Sequence, residues 1–193
     1  MKKLLVFCVA IGFGVAAHAQ DRYTYVGFQN TEMRQADFPA LKSNFGLFFT
    51  MGETYHIWGD VLRLGLDCTW LDVNYSNYKI NHKVVFSSNE YNFHQGEVSV
   101  QVGPSLTLTP VYNFSLNAYA RYAPAISLLY DNEYVYGNYA TLLIAGGSMT
   151  FGSLGFGAEY RRGYCDYKNF SMSSLPKKMV DLSGWRFYVS CVF

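Results

Sequence analysis

Little in this sequence could build a helical membrane span, a metal cage or a disulfide framework. Beyond residue 19 no apolar run approaches the roughly 18 residues that a transmembrane helix requires. Charged residues make up 15% of the chain and the formal net charge is +1, with no basic run after the first three residues, so nothing favours nucleic acid as a partner. Apart from Cys8, the cysteines are Cys68, Cys165 and Cys191, an odd number at no metal-like spacing; they read as small hydrophobes. His56, His82 and His94 stand near turns or loops, and no serine follows His94 at an offset that would make a hydrolase dyad. Glu97 and Glu159 fall on non-neighbouring strands, which leaves general acid/base chemistry unsupported. The glycines at 146, 147, 152, 155 and 157 precede no helix, so a phosphate-cradling loop is unsupported too. No catalytic residue, metal ligand or cofactor is expected.

What the chain does have begins with Lys2, Lys3, an apolar run from Leu4 to about Ala16, and Ala17-His18-Ala19. This is the pattern of a secretory signal with a small-residue cleavage site. Residues 1–19 are assigned to the signal and 20–193 to one domain of ordinary size. Cys8 lies inside the apolar run, too early to be the lipidated cysteine of a lipoprotein. The mature part is rich in aromatics, with 17 Tyr and 15 Phe in the chain, more than a water-soluble domain needs. Aromatic girdles at two membrane interfaces would account for them.

The dominant pattern is alternation of apolar and polar residues with period two, the signature of strands with unlike faces. It predicts strands over 23–29, 44–54, 61–75, 97–109, 114–130, 139–152, 154–167 and 184–193. In the third, Leu62, Leu64, Leu66, Cys68 and Trp70 share one face while Arg63, Gly65, Asp67 and Thr69 share the other. The segments 30–43, 76–92 and 168–183 are polar without sustained alternation and read as long loops; 131–138 is intermediate. The other connections are short. Long and short connections that alternate around an even number of strands predict an eight-stranded antiparallel up-and-down transmembrane β-barrel with both termini at the end carrying the short turns.

With the apolar faces turned to lipid, the lumen receives Arg63, Asp67, Glu97, Gln101, Arg121, Glu159, Arg161 and Arg186, together with Asn117, Tyr119 and Tyr188. Eight strands enclose just enough room for side chains, so these groups are expected to pair as a packed polar core and to leave no pore.

The signal at 1–19, the eight alternating strands and the terminal run Trp185, Phe187, Val189, Cys191, Phe193 together resemble the small eight-stranded outer membrane protein beta-barrel family, of the OmpX/OmpA transmembrane-domain type. The resemblance implies residence in the outer membrane of a double-membraned bacterium, contact with outer-membrane lipid, and a terminal strand similar to the signal read by the barrel-assembly machinery. Cys191 departs from the bulkier residue usual near that position. Members of the family range from structural or adhesive proteins to lipid-modifying enzymes, and the fold alone does not choose among them. The residues favour a monomeric structural or surface-interaction protein working through its external loops. The alternatives are a membrane enzyme acting on lipid acyl chains and a secreted soluble β-barrel that binds an apolar ligand. Tyr78, Lys79, His82, Lys83, Phe86 and Tyr91 in one loop, and Lys168, Lys177 and Lys178 in another, are the groups expected to meet a surface ligand.

Overall fold

The computed structural model describes residues 20–35, 40–84, 87–130, 134–169 and 178–193; at 20, 80–84, 87–91, 169 and 178 it describes the backbone alone. The signal assigned to 1–19 lies outside the described residues. Eight strands follow one another: β1 (Gln20–Arg34), β2 (Leu41–Trp58), β3 (Leu62–Val84), β4 (Ser87–Val111), β5 (Phe114–Tyr130), β6 (Val135–Phe151), β7 (Leu154–Asn169) and β8 (Lys178–Val192). Each pairs antiparallel with its neighbour in sequence, and β1 pairs with β8, so the sheet closes. Closure leaves no open edge through the wall, which is the condition for a sheet to cross a bilayer.

The two faces differ as the alternation requires. Val26, Phe28, Val98, Val100, Leu143, Phe156 and Val189 point outward, each about half exposed or more, while Asp67, Asp72, Glu97, Arg121, Glu159 and Arg186 are buried inside. An apolar outer surface around a charged interior suits lipid and would be unstable in water. The tight connections 59–61, 112–113 and 152–153 lie at one end together with the start of β1 and the end of β8. Gly59 turns the first of them with φ of 98°, a left-handed conformation open to glycine.

Four features depart from the sequence reading. The strands are longer than their alternating cores: β1 reaches Arg34, β2 begins at Leu41 and extends to Trp58, β6 begins at Val135 and β8 at Lys178. The segment 76–92 is no loop, because β3 and β4 continue as a ladder from Ser76↔Gln95 to Val84↔Ser87, leaving only residues 85 and 86 between them. Alternation marks a strand only where one face meets lipid and the other a core, and from Lys79↔Asn92 onward the ladder lies beyond the β5 partner of β4, which ends at His94↔Tyr130. Third, β3 carries a bulge between Thr69 and Asp72, so that Trp70 and Leu71 both face outward and Asp72 turns in. An alternation counted straight through it would put Asp72 on the lipid side. A smaller irregularity between Ser43 and Phe45 leaves Asn44 outside, where simple alternation places it inside.

The register predicts a sharp asymmetry between faces. Val100→Arg, on the outward face of β4, is expected to lower stability by about 2–4 kcal/mol, while Val100→Leu leaves it nearly unchanged. Denaturant unfolding of protein inserted in lipid vesicles measures both; equal effects would show that Val100 does not meet the bilayer.

Candidate functional site

The lumen is organised by two arginines. Arg186 on β8 donates from Nη1 to Asp72 Oδ1 at 2.9 Å and to Glu159 Oε1 at 3.1 Å, from Nη2 to Asp72 Oδ2 at 3.3 Å, and from Nε to Gln29 Oε1 at 2.9 Å. Its guanidinium also lies 4.5 Å from the centre of the Phe48 ring. Arg121 on β5 approaches Asp67 Oδ1 at 2.9 Å through Nε, donates from Nη2 to Asp67 Oδ2 at 3.1 Å, and gives Nη1 to Gln101 Oε1 at 3.2 Å. Glu159 Oε2 is 3.8 Å from Arg121 Nη1, so this one carboxylate bridges the two guanidiniums. A third arginine, Arg161, contacts Glu97 Oε1, which also accepts from Asn74 Nδ2 at 3.0 Å.

Neutral donors complete the web. Tyr23 donates to Asp67 Oδ1 at 2.5 Å, Tyr119 to Glu159 Oε2 at 2.8 Å, and Thr50 and Ser99 to the two oxygens of Asp72 at 2.6 and 3.1 Å. Tyr23, Tyr25 and Tyr188 stack in series with ring centroids 4.4 Å apart, and the Arg121 guanidinium lies 3.7 Å from the centre of the Tyr119 ring. Gly157 makes this layer possible, since a Cβ there would lie 2.5 Å from the Tyr188 ring. Above it, toward the long connections, Gln95 accepts from Tyr78 at 2.7 Å and donates to Ser127 and Tyr167 at 3.1 and 3.0 Å.

Of the residues expected in the lumen, Asp67, Glu97, Gln101, Arg121, Glu159, Arg161 and Arg186 come together in this way. Arg63 does not join them. It sits at the short-turn rim, donating to Thr109 Oγ1 at 3.0 Å and lying 3.7 Å from Asp21 Oδ2, because the strand position that points it inward is only one residue from the end of β3. Asp21 also meets His56 Nε2 at 2.7 Å. That pair has no nucleophile: His56 Nδ1 has no hydrogen-bond partner among the described residues. His94 lies on the outer wall between Tyr75 and Tyr130, bonded through Nδ1 to the Tyr75 hydroxyl at 2.6 Å.

Sequence reasoning missed Asp72, Gln29, Tyr23 and Tyr78. The bulge hides Asp72, and Tyr78, which falls in the segment read as an external loop, is buried in the lumen. The expected assembly residues Trp185, Phe187, Val189 and Phe193 all face outward and are more than half exposed, and Cys191 is exposed beside them. Cys165, by contrast, is buried within the barrel. Among the described residues no cluster of histidine, cysteine, aspartate and glutamate has the makings of a metal site.

The central balance is four carboxylates, Asp67, Asp72, Glu97 and Glu159, against three guanidiniums, Arg121, Arg161 and Arg186. Removing a cation therefore costs more than removing an anion. Arg186→Met leaves Asp72 and Glu159 without their main cation and is expected to cost about 3–5 kcal/mol. Glu97→Gln keeps an acceptor for Asn74 and Arg161, and Glu97 Oε2 has no partner to lose. The substitution does take from Arg161 its one ion-pair partner among the described residues, so its cost is expected to be about 1.5–3 kcal/mol, below that of Arg186→Met. Unfolding in lipid vesicles distinguishes the two; a larger loss for Glu97→Gln would contradict the charge count.

No protein-family model and no curated protein matches the sequence. Solved structures do match the fold. Neisserial surface protein A superposes with a TM-score of 0.53 at 14% identity, covering 89% of this chain and 97% of its own. The outer membrane protease OmpT of Escherichia coli superposes with a TM-score of 0.52 at 8% identity, covering 90% and 96%. Ail, the attachment invasion locus protein of Yersinia pestis, aligns over 90% and 98% at 13% identity with a TM-score of 0.42. Closed topology, a charged interior, an apolar exterior and the superpositions on Neisserial surface protein A and OmpT agree: the chain has the fold of the bacterial outer-membrane β-barrels.

Proposed function

We propose that this chain is an integral outer-membrane protein with a structural or surface-interaction role, of the small OmpX/OmpA transmembrane type, exported by a cleaved signal at 1–19. The single observation that carries the reading is the state of the lumen. Arg121, Arg186, Asp67, Asp72, Glu97 and Glu159 are each at most 2% exposed and fill the middle of the barrel. A barrel packed in this way offers no aqueous path for solutes and no apolar chamber for a ligand. Catalysis on acyl chains would need an acid, base or nucleophile open to lipid, whereas the carboxylates of this network are locked to arginines.

Interaction then belongs to the end that bears the longer connections. There β3 and β4 project beyond β5 as a two-stranded ribbon from Lys79↔Asn92 to Val84↔Ser87. At about 3.4 Å per residue the ribbon rises roughly 17 Å. Such a ribbon is marginal on its own in water and gains by meeting a partner surface. We place this end outside the cell, the termini in the periplasm, and the protein in the membrane as a monomer.

Two measurements test the reading. In planar bilayers the purified protein is expected to show no sustained conductance, and protease added to intact cells is expected to cut only near Lys79, Lys83, Lys168, Lys177 and Lys178. A steady open channel would overturn the sealed lumen. Cleavage that appears only after the outer membrane is opened would reverse the orientation.

Assembly supplies a further prediction. Phe193 N–H donates to Arg22 C=O at 2.9 Å and Arg22 N–H donates to Phe193 C=O at 3.1 Å, so the last residue fastens the end of the β1–β8 seam. Its outward ring also completes the terminal aromatic series that we propose the barrel-assembly machinery reads. Deleting Phe193 should sharply reduce heat-modifiable, membrane-inserted protein; a wild-type yield would rule out that role.

A further inference from the structure

The outer wall is not uniform near the long-connection end. Across β3, β4 and β5 it carries aromatics: Tyr75 and Tyr130 flank His94 with ring centroids 6.0 and 6.3 Å away. Across β7, β8, β1 and β2 it carries charge instead, around an outward groove of about 800 Å³. The register fixes the levels. Glu32 lies opposite both Lys42 and Ser183, and Ser183 lies opposite Arg162, so Lys42 and Arg162 occupy one level on either side of the groove. Arg34 is one step nearer the barrel end, opposite Asp181. One step deeper, Trp185 lies opposite Asn30 and packs on Tyr160 with ring centroids 5.1 Å apart, and below it Phe187 lies opposite Phe28 in the apolar band.

This stacking of cations, then indole and phenol, then hydrocarbon matches the depth profile of one lipid leaflet: phosphate, interface, acyl chain. Ser183 and Gly184 form a low floor, so a headgroup can come close to the wall between the long side chains. Three cations face two acids in the groove. Arg34 gives its Nε to Glu32 at 2.7 Å, while Lys42 and Arg162 are exposed and have no ion-pair partner among the described residues. The backbones bearing them are three strand spacings apart, about 14 Å, a gap that a lysine and an arginine reaching toward each other can close around one phosphate.

We infer that this groove seats the phosphate of an anionic membrane lipid, held by Arg34, Lys42 and Arg162, with its acyl chains descending over Trp185 and Phe187. The inference rests on the transmembrane reading and goes beyond it by naming a ligand class and a place on the wall. A soluble anion has no use for the aromatic shelf and apolar descent beneath the cations. The site therefore belongs to a lipid.

The test uses the folded full-length barrel in nanodiscs of phosphatidylcholine with a minor fraction of phosphatidylglycerol, followed by native mass spectrometry of the lipids retained on mild detergent release. The wild type is expected to retain phosphatidylglycerol well beyond its share. The triple variant Arg34→Gln, Lys42→Gln, Arg162→Gln should lose that preference by about a hundredfold, at roughly fivefold per cation removed. The single variants Lys42→Gln and Arg162→Gln cover the case in which the triple variant does not fold, and each is expected to reduce retention by about threefold to fivefold. Lys79→Gln with Lys168→Gln removes the same kind of charge from β3 and from a level of β7 six residues beyond Arg162, both outside the groove, and should change nothing. Undiminished preference in the triple variant, or in both singles, would overturn the inference, and so would an equal loss in the control. Release of the lipid by millimolar inorganic phosphate would overturn it by showing a site for the free anion. Heat-dependent gel mobility of the same samples reports insertion separately: a wild type that never inserts defeats the membrane reading itself.

Discussion

Desolvated charge is the constraint on which the rest of this structure depends. Asp67, Asp72, Glu97, Glu159, Arg121 and Arg186 have almost no exposure to solvent. Each such group is costly to bury, and the cost is offset only when every charge meets an opposite one with good geometry and the spare lone pairs find donors. The barrel meets most of that demand by drawing partners from around its circumference, although Glu97 Oε2 and Arg161 Nη1 have no hydrogen-bond partner among the described residues. Asp72 alone takes hydrogens from Thr50 on β2, Ser99 on β4 and Arg186 on β8. The wall must close for these donors to be in reach, so the polar core and the sheet topology specify each other.

Packing details follow from the same demand. The tyrosine layer of Tyr23, Tyr25 and Tyr188 fills the lumen with flat rings, and the hydroxyls of Tyr23 and Tyr188 reach partners at its edges. Phe48 and Tyr119 set their rings against the guanidiniums of Arg186 and Arg121, covering charge that no carboxylate reaches. The bulge at Trp70 and Leu71 is what delivers Asp72 to Arg186. Without it, that carboxylate would face lipid.

Much of this was legible in the sequence because alternation is a direct consequence of having lipid on one side and a polar core on the other. Arg121, Glu159, Arg161 and Arg186 could be placed inside simply by counting from Leu116, Phe156 and Phe187. Counting failed where the pleat itself was interrupted or where neither face had a core to answer to. Asp72 follows two outward residues in a row, so its inward direction depends on an irregular register that only the pairing with β4 reveals. From Lys79↔Asn92 onward the pattern is lost beyond the wall, although the β3–β4 ladder continues to Val84↔Ser87. Arg63 obeyed the alternation yet stands at the rim, since periodicity gives a side and no depth. Partner identity within the web was illegible for a further reason: Gln29 and Arg186 are 157 positions apart.

That separation has a mechanical consequence for the wall. A barrel that opens sideways would part its wall at one junction between strands, but here the junction of first and last strands is clasped from within. Arg186 on β8 holds Gln29 on β1 and reaches across to Asp72 on β3, while Tyr188 on β8 stacks on Tyr25 on β1. Parting the two strands would break the backbone ladder and pull the guanidinium away from Gln29 and Asp72 in the same motion, leaving it Glu159 on β7 alone. The seam is thus a poor place for a lateral gate, because the side chains inside the barrel resist the same parting that the ladder resists in the wall.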